Sequence, residues 1–113
     1  MNQPGYVKLV QAMYVRRIPK NANIEHLVTA EVISLLNTHI ATFTEREIDI
    51  LNSYYGLIAG KERETLVKIG ERYGVTKERI RQIRSKSVRK LLYSSRTRYI
   101  WDSFKTTGFE KFG

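Results

Sequence analysis

The chain has 113 residues, of which 42% are hydrophobic, and it carries a formal net charge of +9 and no cysteine. This length and composition are typical of one small globular domain with room for a short extension. The lack of cysteine excludes disulfides, thiolate metal sites and cysteine nucleophiles, and no apolar run approaches the roughly 18 residues needed to cross a bilayer. No signal-peptide pattern follows Met1, so we expect a cytoplasmic protein without membrane contacts.

Two helices are expected before residue 41. Residues 6–18 fit a helix and a strand about equally by their apolar pattern; we favour a helix that is closed by Pro19. Residues 20–23 have the composition of a loop. Asn23 could cap a second, amphipathic helix running from Ile24 to about Ile40.

A capping box gives the sharpest helix start in the chain. Thr44 is followed three residues later by Glu47, and Phe43 before the cap can contact Ile48 inside the helix. Both devices predict a helix beginning after Thr44. Gly56 can take the positive φ that ends this helix, and residues 57–64 then form a loop.

Residues 65–92 have the pattern of a helix-turn-helix. Thr65 can cap the first helix, Gly74 can end it with a positive φ, and Thr76 can cap the second helix. Gly70 places a small residue where the two helices would cross. The alternative is a plain helical hairpin that packs against another element. We expect the buried set to include Ile48, Leu51, Tyr55, Leu66, Ile69, Tyr73, Val75, Ile80, Ile83 and Leu91.

The positive charge is concentrated in the second half of the chain. Residues 72–98 hold ten basic residues and one acidic residue, whereas residues 21–71 hold four basic and eight acidic residues. Residues 1–20 hold four basic and no acidic residues, and residues 99–113 hold two of each. A charge run is often only a solvated surface, but this one coincides with the second helix of the motif and therefore predicts contact with phosphates.

The second helix of the motif divides into two arcs on an ideal helical wheel. Arg84 falls inside the apolar arc, so either the helix bends there or the aliphatic stem packs while the guanidinium reaches solvent. The opposite, polar arc is the candidate reading surface. It contains Glu78, Gln82, Ser85, Lys86 and Arg89.

No catalytic or metal-binding pattern is present. His26 and His39 are the only imidazoles, and neither has a ligand partner at a useful spacing. No phosphate-loop pattern follows any glycine. We therefore expect no enzyme, no metal and no cofactor.

The runs FTEREIDILNSYYGL, from Phe43, and TLVKIGERYGVTKERIRQIRSKSVRKL, from Thr65, resemble region 4, the C-terminal domain of primary-type bacterial sigma factors. The resemblance covers about residues 42–92, and GVTKERIRQI is its most specific part. It implies an all-α fold, a small helical bundle containing a helix-turn-helix, with residues 24–92 as the domain, 1–23 as a helical extension and 93–113 as an aromatic-rich tail. In that family the motif reads the −35 promoter element in the major groove, and an apolar concavity binds the flap-tip helix of the RNA polymerase β subunit.

The resemblance also implies which residues bind promoter DNA. Lys77, Glu78, Arg81 and Gln82 would read bases, while Arg79, Lys86 and Arg89 would hold phosphates or surround the site. The first helix of the motif could add backbone contacts through Thr65 and Arg72. The predicted DNA-binding set is therefore Thr65, Arg72, Lys77, Glu78, Arg79, Arg81, Gln82, Ser85, Lys86 and Arg89.

Three departures from the family pattern concern the second helix. Lys77 stands where the family usually has arginine, Arg84 stands where it usually has glutamate, and serines at 85 and 87 replace alanines. We infer a base preference different from the common −35 hexamer.

The residues before the resemblance are too few for the family's domain that melts and holds the −10 element. We therefore expect an excised fragment, one half of a split sigma factor that needs a separate −10-recognising factor, or a stand-alone and even viral regulator. The leading function is a promoter-binding initiation domain that docks on the polymerase β flap. The alternative is a polymerase-binding regulator, co-activator or anti-sigma-like, that does not read DNA sequence.

The aromatic-rich tail has two possible roles. It could form a short helix that folds Ile100 and Phe104 back onto the domain, or it could be a partner-binding end, since exposed aromatic residues often anchor interfaces. Its aromatic residues are Tyr93, Tyr99, Trp101, Phe104, Phe109 and Phe112.

Overall fold

A computed structural model of the chain describes residues 4–19 and 22–107, without the side chains of residues 105–107. Helices account for all regular structure in this part of the chain, so the all-α prediction is confirmed. A short 3-10 helix lies at Glu25–Leu27. The α-helices are α1 (Pro4–Met13), α2 (Ala30–Ile40), α3 (Glu45–Tyr55), α4 (Leu66–Tyr73), α5 (Lys77–Leu92) and α6 (Arg98–Thr107).

The two ends of α3 are the ones that the sequence predicts. The N–H of Glu47 donates to Oγ1 of Thr44 at 3.2 Å, and the N–H of Thr44 donates to Oε1 of Glu47 at 3.2 Å. Gly56 ends the helix with φ 67°. Thr44 and Glu47 thus satisfy each other's backbone donors, which fixes where α3 begins.

The helix predicted from Ile24 to Ile40 is wrong in its first turns. The side-chain oxygen of Asn23 accepts the N–H of Glu25 at 3.0 Å, but the N-cap position there is Ile24 and the helix that follows is only a 3-10 helix. Thr29 is extended at ψ 169°, and its hydroxyl caps α2 by accepting the N–H of Val32 at 3.3 Å. The apolar spacing continues across this break because the 3-10 helix still turns Ile24 and Leu27 into the core.

The helix predicted over residues 6–18 is shorter than expected. α1 ends at Met13, and the chain continues in turns in which the N–H of Arg17 donates to the carbonyl of Tyr14 at 2.9 Å. Ile18 nevertheless remains buried. The apolar pattern therefore indicates burial at both ends of the segment, although Val15 is 64% exposed, and it indicates a helix over only the first part.

One large core joins helices from all parts of the described chain. It contains Leu9 of α1, Leu36 of α2, Leu51 of α3, Leu91 of α5 and Phe104 of α6, all 0–1% exposed. The residues at both ends therefore share a core with the middle of the chain. The three-part domain division stays a prediction.

The tail forms the helix that the first of the two predicted roles requires. Ile100 and Phe104 of α6 are fully buried, whereas Tyr93 and Tyr99 are exposed. Trp101 lies against Tyr14 with ring centroids 5.0 Å apart. The expected aromatic residues at 109 and 112 lie outside the described residues.

A second, smaller core holds the helix-turn-helix together. Ile50 of α3, Ile69 of α4 and Ile80 of α5 are each fully buried in it. The prediction that Val75 is buried is wrong, because its side chain is 38% exposed. Of the ten residues expected to be buried, five are buried, namely Leu51, Tyr55, Ile69, Ile80 and Leu91. Four more are partly buried, namely Ile48, Leu66, Tyr73 and Ile83.

Val75 contributes to the helix crossing through its backbone. Its N–H donates to the carbonyl of Gly70 at 2.9 Å, immediately after Gly74 has turned the chain with φ 67°. The tight turn therefore directs the side chain of Val75 outward.

Across the described residues, no helix combines the length and the apolar character needed to cross a membrane.

Candidate nucleic-acid interface

The crossing of α4 and α5 depends on Gly70. A Cβ atom added there would lie 2.6 Å from the carbonyl oxygen of Val75 and 3.3 Å from the carbonyl carbon of Thr76. Both obstacles are backbone atoms, which cannot move without shifting the turn. Thr76 then caps α5 by accepting the N–H of Arg79 at 3.2 Å. These contacts fix the direction in which α5 leaves α4.

The buried side of α5 is anchored along most of its length. Ile80, Val88 and Leu91 are buried among the neighbouring helices. Ser87 is also fully buried, and its hydroxyl donates to the carbonyl of Ile83 at 2.8 Å. The serine thus replaces an apolar residue without leaving an unsatisfied hydroxyl.

The other side of α5 carries the polar residues that the sequence analysis predicts to bind DNA. Seven of the eight predicted DNA-binding residues of this helix are exposed, and the eighth, Ser85, is half-buried. The exposed residues are Lys77, Glu78, Arg79, Arg81, Gln82, Lys86 and Arg89. They form a basic surface that is continuous along the helix, with Glu78 as the single acidic member.

Two of the predicted base-reading residues form an ion pair with each other. Nε of Arg81 donates to the two carboxylate oxygens of Glu78 at 3.0 and 3.1 Å. The hydrogen bonds from Arg81 lower the pKa of Glu78 below its usual value. Because the pair is exposed, water screens it, and it contributes little to stability.

Arg72 is held within the protein. Its Nη1 donates to Oδ2 of Asp49 at 3.0 Å, its Nε donates to Oε2 of Glu64 at 3.0 Å, and its Nη2 donates to Oγ of Ser53 at 3.2 Å. The hydroxyl of Tyr73 donates to the same carboxylate of Asp49. This network ties α4 to α3 and to the end of the loop before α4.

The electrostatics of the Asp49 network follow from these hydrogen bonds. Burial alone would raise the pKa of Asp49, but the bonds from Tyr73, Arg72 and Ser53 outweigh it and lower the pKa. The bonds to Glu64 and Asp49 raise the pKa of Arg72.

Thr65 caps α4 by accepting the N–H of Lys68 at 3.2 Å. Contact of Arg72 or Thr65 with DNA stays a prediction.

Arg84 agrees only in part with the second of the two predicted possibilities, because its guanidinium stacks on an aromatic ring. α5 is continuous through this position, and the guanidinium carbon of Arg84 lies 4.5 Å from the centre of the Tyr54 ring. The residue is half-buried, as expected when an aliphatic stem packs and a cation stacks on an aromatic ring. Arg84 therefore brings a positive charge to the edge of the basic surface.

Sequence reasoning missed the basic residues that α1 brings to this surface. Arg16 and Arg17 follow α1, and they line the same surface depression as Arg89 of α5. An adjoining depression is lined by Ser85 and again by Arg89. The sequence showed that residues 1–20 hold four basic residues and no acidic one. Nothing in the sequence indicated where the fold would place these charges.

Metal binding has no structural support in the part of the chain described. No group of three or more His, Cys, Asp or Glu side chains in these residues could hold a metal ion.

Comparisons with known proteins agree with the motif. The family model described as Sigma-70, region 4 matches residues 40–91. RNA polymerase sigma factor SigA from a Bacillus species is 39% identical over 84 residues, which are 74% of this chain and 21% of that protein. The chain thus spans about a fifth of the length of this curated relative.

Proposed function

Because residues 40–91 place this chain in the sigma-70 region 4 family, we propose that it binds promoter DNA by inserting α5 into the major groove. The chain contains a sigma-factor-like domain of transcription initiation. The observation that carries the proposal is the exposed basic side of α5, whose opposite side is anchored in both cores. We assign it a binding role without catalysis.

The N-terminal half of α5 is our candidate for base reading. Lys77, Glu78, Arg81 and Gln82 are exposed there. Arginine can donate two hydrogen bonds to guanine, glutamate can accept from cytosine, and glutamine can pair with adenine. On binding, Arg81 and Glu78 exchange their mutual hydrogen bonds for base edges. A −35-type element is the expected target, with a base preference altered by Lys77.

Phosphate contacts supply most of the affinity in this proposal. Arg79, Lys86 and Arg89 are exposed on α5, and no carboxylate among the described residues forms an ion pair with them. Each phosphate contact releases counterions, so binding should weaken steeply as salt rises.

The test compares two substitutions on the same helix. The preferred duplex is selected from a randomised pool, and affinities for it and for single-base variants are measured by fluorescence anisotropy. Arg81→Ala should weaken binding to the preferred duplex about tenfold or more and relax discrimination at one base pair. Lys86→Ala should weaken binding to all duplexes alike. The same uniform loss from both substitutions would refute the groove-reading assignment.

We also propose that the domain docks on bacterial RNA polymerase core, at the β flap. The family resemblance supports this partner. Our candidate contact is an open groove between α2 and α6 whose apolar members include Leu35 and Tyr99; Tyr99 is 57% exposed. Recognition of the −10 element is not assigned to residues 40–91 and falls to another region or a separate factor.

The polymerase contact is tested by capture of purified core enzyme. Leu35→Glu and Tyr99→Ala should reduce capture while leaving DNA affinity unchanged. Because the contact is apolar, raising the salt should weaken DNA binding much more than capture. Capture unaffected by both substitutions would exclude this groove as the docking site.

A polymerase-binding regulator that does not read DNA is the second candidate function. The observation in its favour is that Arg72, Glu78 and Arg81, three of the predicted DNA-binding residues, are already ion-paired within the protein. Polymerase capture combined with no preference among duplex sequences would favour this candidate.

A further inference from the structure

Two arginine-bearing segments that are far apart in sequence meet at one surface groove. The segment after α1 contributes Arg16 and Arg17, and α5 contributes Arg84 and Arg89. Two adjoining depressions share Ala12, Val15, Val88 and Arg89 as lining residues, so the groove runs continuously between α1 and the second half of α5.

The two depressions of the groove are positively charged, and Asp102 lines a neighbouring depression together with Arg17. No acidic residue lines either depression, and among the described residues no carboxylate forms an ion pair with Arg16, Arg84 or Arg89. In contrast, Arg72, Arg81 and Lys90 are each paired with a carboxylate. Clustered cations without counter-charges create a local field that attracts an anionic partner.

Two of these arginines are also held in place by aromatic rings. The guanidinium carbon of Arg17 lies 5.4 Å from the centre of the Trp101 ring, and that of Arg84 lies 4.5 Å from the centre of the Tyr54 ring. Stacking restricts the side chains and leaves the guanidinium edges able to donate. Ordered guanidinium groups are suited to binding phosphate through two parallel hydrogen bonds.

The groove adjoins the surface proposed to read DNA. Ser85 lines one depression and Arg89 lines both, and both belong to the polar side of α5. Arg89 lies eight residues beyond Arg81, or about 12 Å along the helix axis. The major groove is about 12 Å wide. If α5 enters the groove by its N-terminal end, Arg89 lies beyond the roughly 8.5 Å depth of the groove and therefore at the level of the DNA backbone.

We infer that Arg16 and Arg17, together with Arg84 and Arg89, form a second phosphate-binding surface that holds the DNA backbone beside the base-reading end of α5. This inference rests on the proposed function, namely that α5 binds duplex DNA. Continuity with the polar side of α5 favours duplex DNA over an acidic protein segment as the occupant.

Part of this surface lies outside the residues that match the family model. Arg16 and Arg17 lie before residue 40, where the match to the family model begins. Arg84 occupies the position at which the family resemblance has glutamate, so a negative charge there is replaced by a positive one. The N-terminal segment thus enlarges the DNA-binding surface beyond the helix-turn-helix.

The test uses the full chain and measures the dependence of DNA affinity on salt. The double variant Arg16→Ala/Arg17→Ala is compared with Lys8→Ala/Lys61→Ala, which removes two exposed positive charges from elsewhere. Between 50 and 200 mM salt, the slope of log K against log salt should fall by about 1.8, or about 0.9 for each phosphate that is no longer neutralised. The loss of affinity should be equal on preferred and unrelated duplexes, and the control should keep the wild-type slope.

A second variant guards against misfolding. Arg17 stacks on Trp101, so its loss could disturb α6, whereas Arg16 is exposed and is not the residue stacked on that ring. Arg16→Glu should reduce the slope by at least about 0.9 while the circular dichroism melting curve stays that of the wild type.

Shortening the DNA locates the contact. The duplex is shortened stepwise from each end, and the affinity of both proteins is measured at every step. One step should weaken binding by the wild type but leave binding by the double variant unchanged. If the wild type binds DNA with a steep salt dependence and both variants keep its slope, the inference is overturned, and an acidic protein segment becomes the occupant of the groove. If the wild type itself shows no salt-dependent binding, the proposed function fails first.

Discussion

The small core under the helix-turn-helix makes Ile80→Ala a severe but interpretable substitution. Ile80 is fully buried against Ile50 and Ile69, which belong to two other helices. The substitution removes three carbon atoms, which corresponds to about 2.4 kcal/mol at roughly 0.8 kcal/mol for each methylene. A residual cavity of about 50 Å³ would add about 1.2 kcal/mol. We therefore expect a loss of about 2.4–3.6 kcal/mol in the free energy of unfolding.

Urea unfolding followed by circular dichroism measures this loss. Ile80→Val should lose only about 0.5–1.5 kcal/mol, because it deletes a single methylene. The control is Val67→Ala on α4, where the side chain is 49% exposed, so the change should stay within about 0.5 kcal/mol. A loss below about 0.5 kcal/mol for Ile80→Ala would show that the crossing of α4 and α5 is not built around this residue.

Gly70→Ala should lower the free energy of unfolding by about 1–2 kcal/mol, because the clash with the backbone of Val75 exceeds the gain in helix propensity. Urea unfolding measures this change. A variant more stable than the wild type would contradict the geometry of the crossing between α4 and α5. His39 gives a pH dependence. Burial, followed by the charges of Arg96 and Lys90, lowers its pKa below 6.5, and neither ring nitrogen has a hydrogen-bond partner among the described residues. The folded state therefore disfavours the proton, and stability should fall as pH drops below about 6.5 towards the lower folded pKa. In urea unfolding between pH 5 and 8, His39→Gln should remove this fall, and an unchanged slope would refute the assignment.

Local signals made the helix-turn-helix predictable from sequence. The capping residues Thr44, Thr65 and Thr76 and the positive-φ glycines Gly56 and Gly74 act through atoms within a few residues of each other. Their geometry therefore does not depend on the rest of the fold. The exposed polar side of α5 was predictable for the same reason, because helical periodicity alone separates it from the buried side.

What could not be predicted depends on contacts between distant residues. The break at Thr29 is invisible to the apolar spacing, since the 3-10 helix and α2 bury the same kinds of residue. The outward position of Val75 depends on how closely α4 and α5 approach at Gly70. The ion pair of Arg72 with Asp49 joins residues more than 20 positions apart, so no sequence pattern distinguished Arg72 from an unpaired cation.

The approach of Arg16 to Arg89 is the clearest example. The sequence showed two separate concentrations of positive charge, one among residues 1–20 and one among residues 72–98. Only the packing of α1 against α3 and α5 brings them to one groove. Charge counting can therefore indicate a nucleic-acid partner but cannot give the outline of the surface that binds it.

Amide chemical-shift mapping of the isotopically labelled chain, titrated with the duplex selected from the randomised pool, tests the central claim most directly. The account predicts that the largest shifts fall on residues 77–82, with further shifts on residues 84–89 and 15–17 as the groove engages the backbone. Shifts of that size on the α2 and α6 surface, with residues 77–82 unmoved, would contradict the claim that α5 reads DNA.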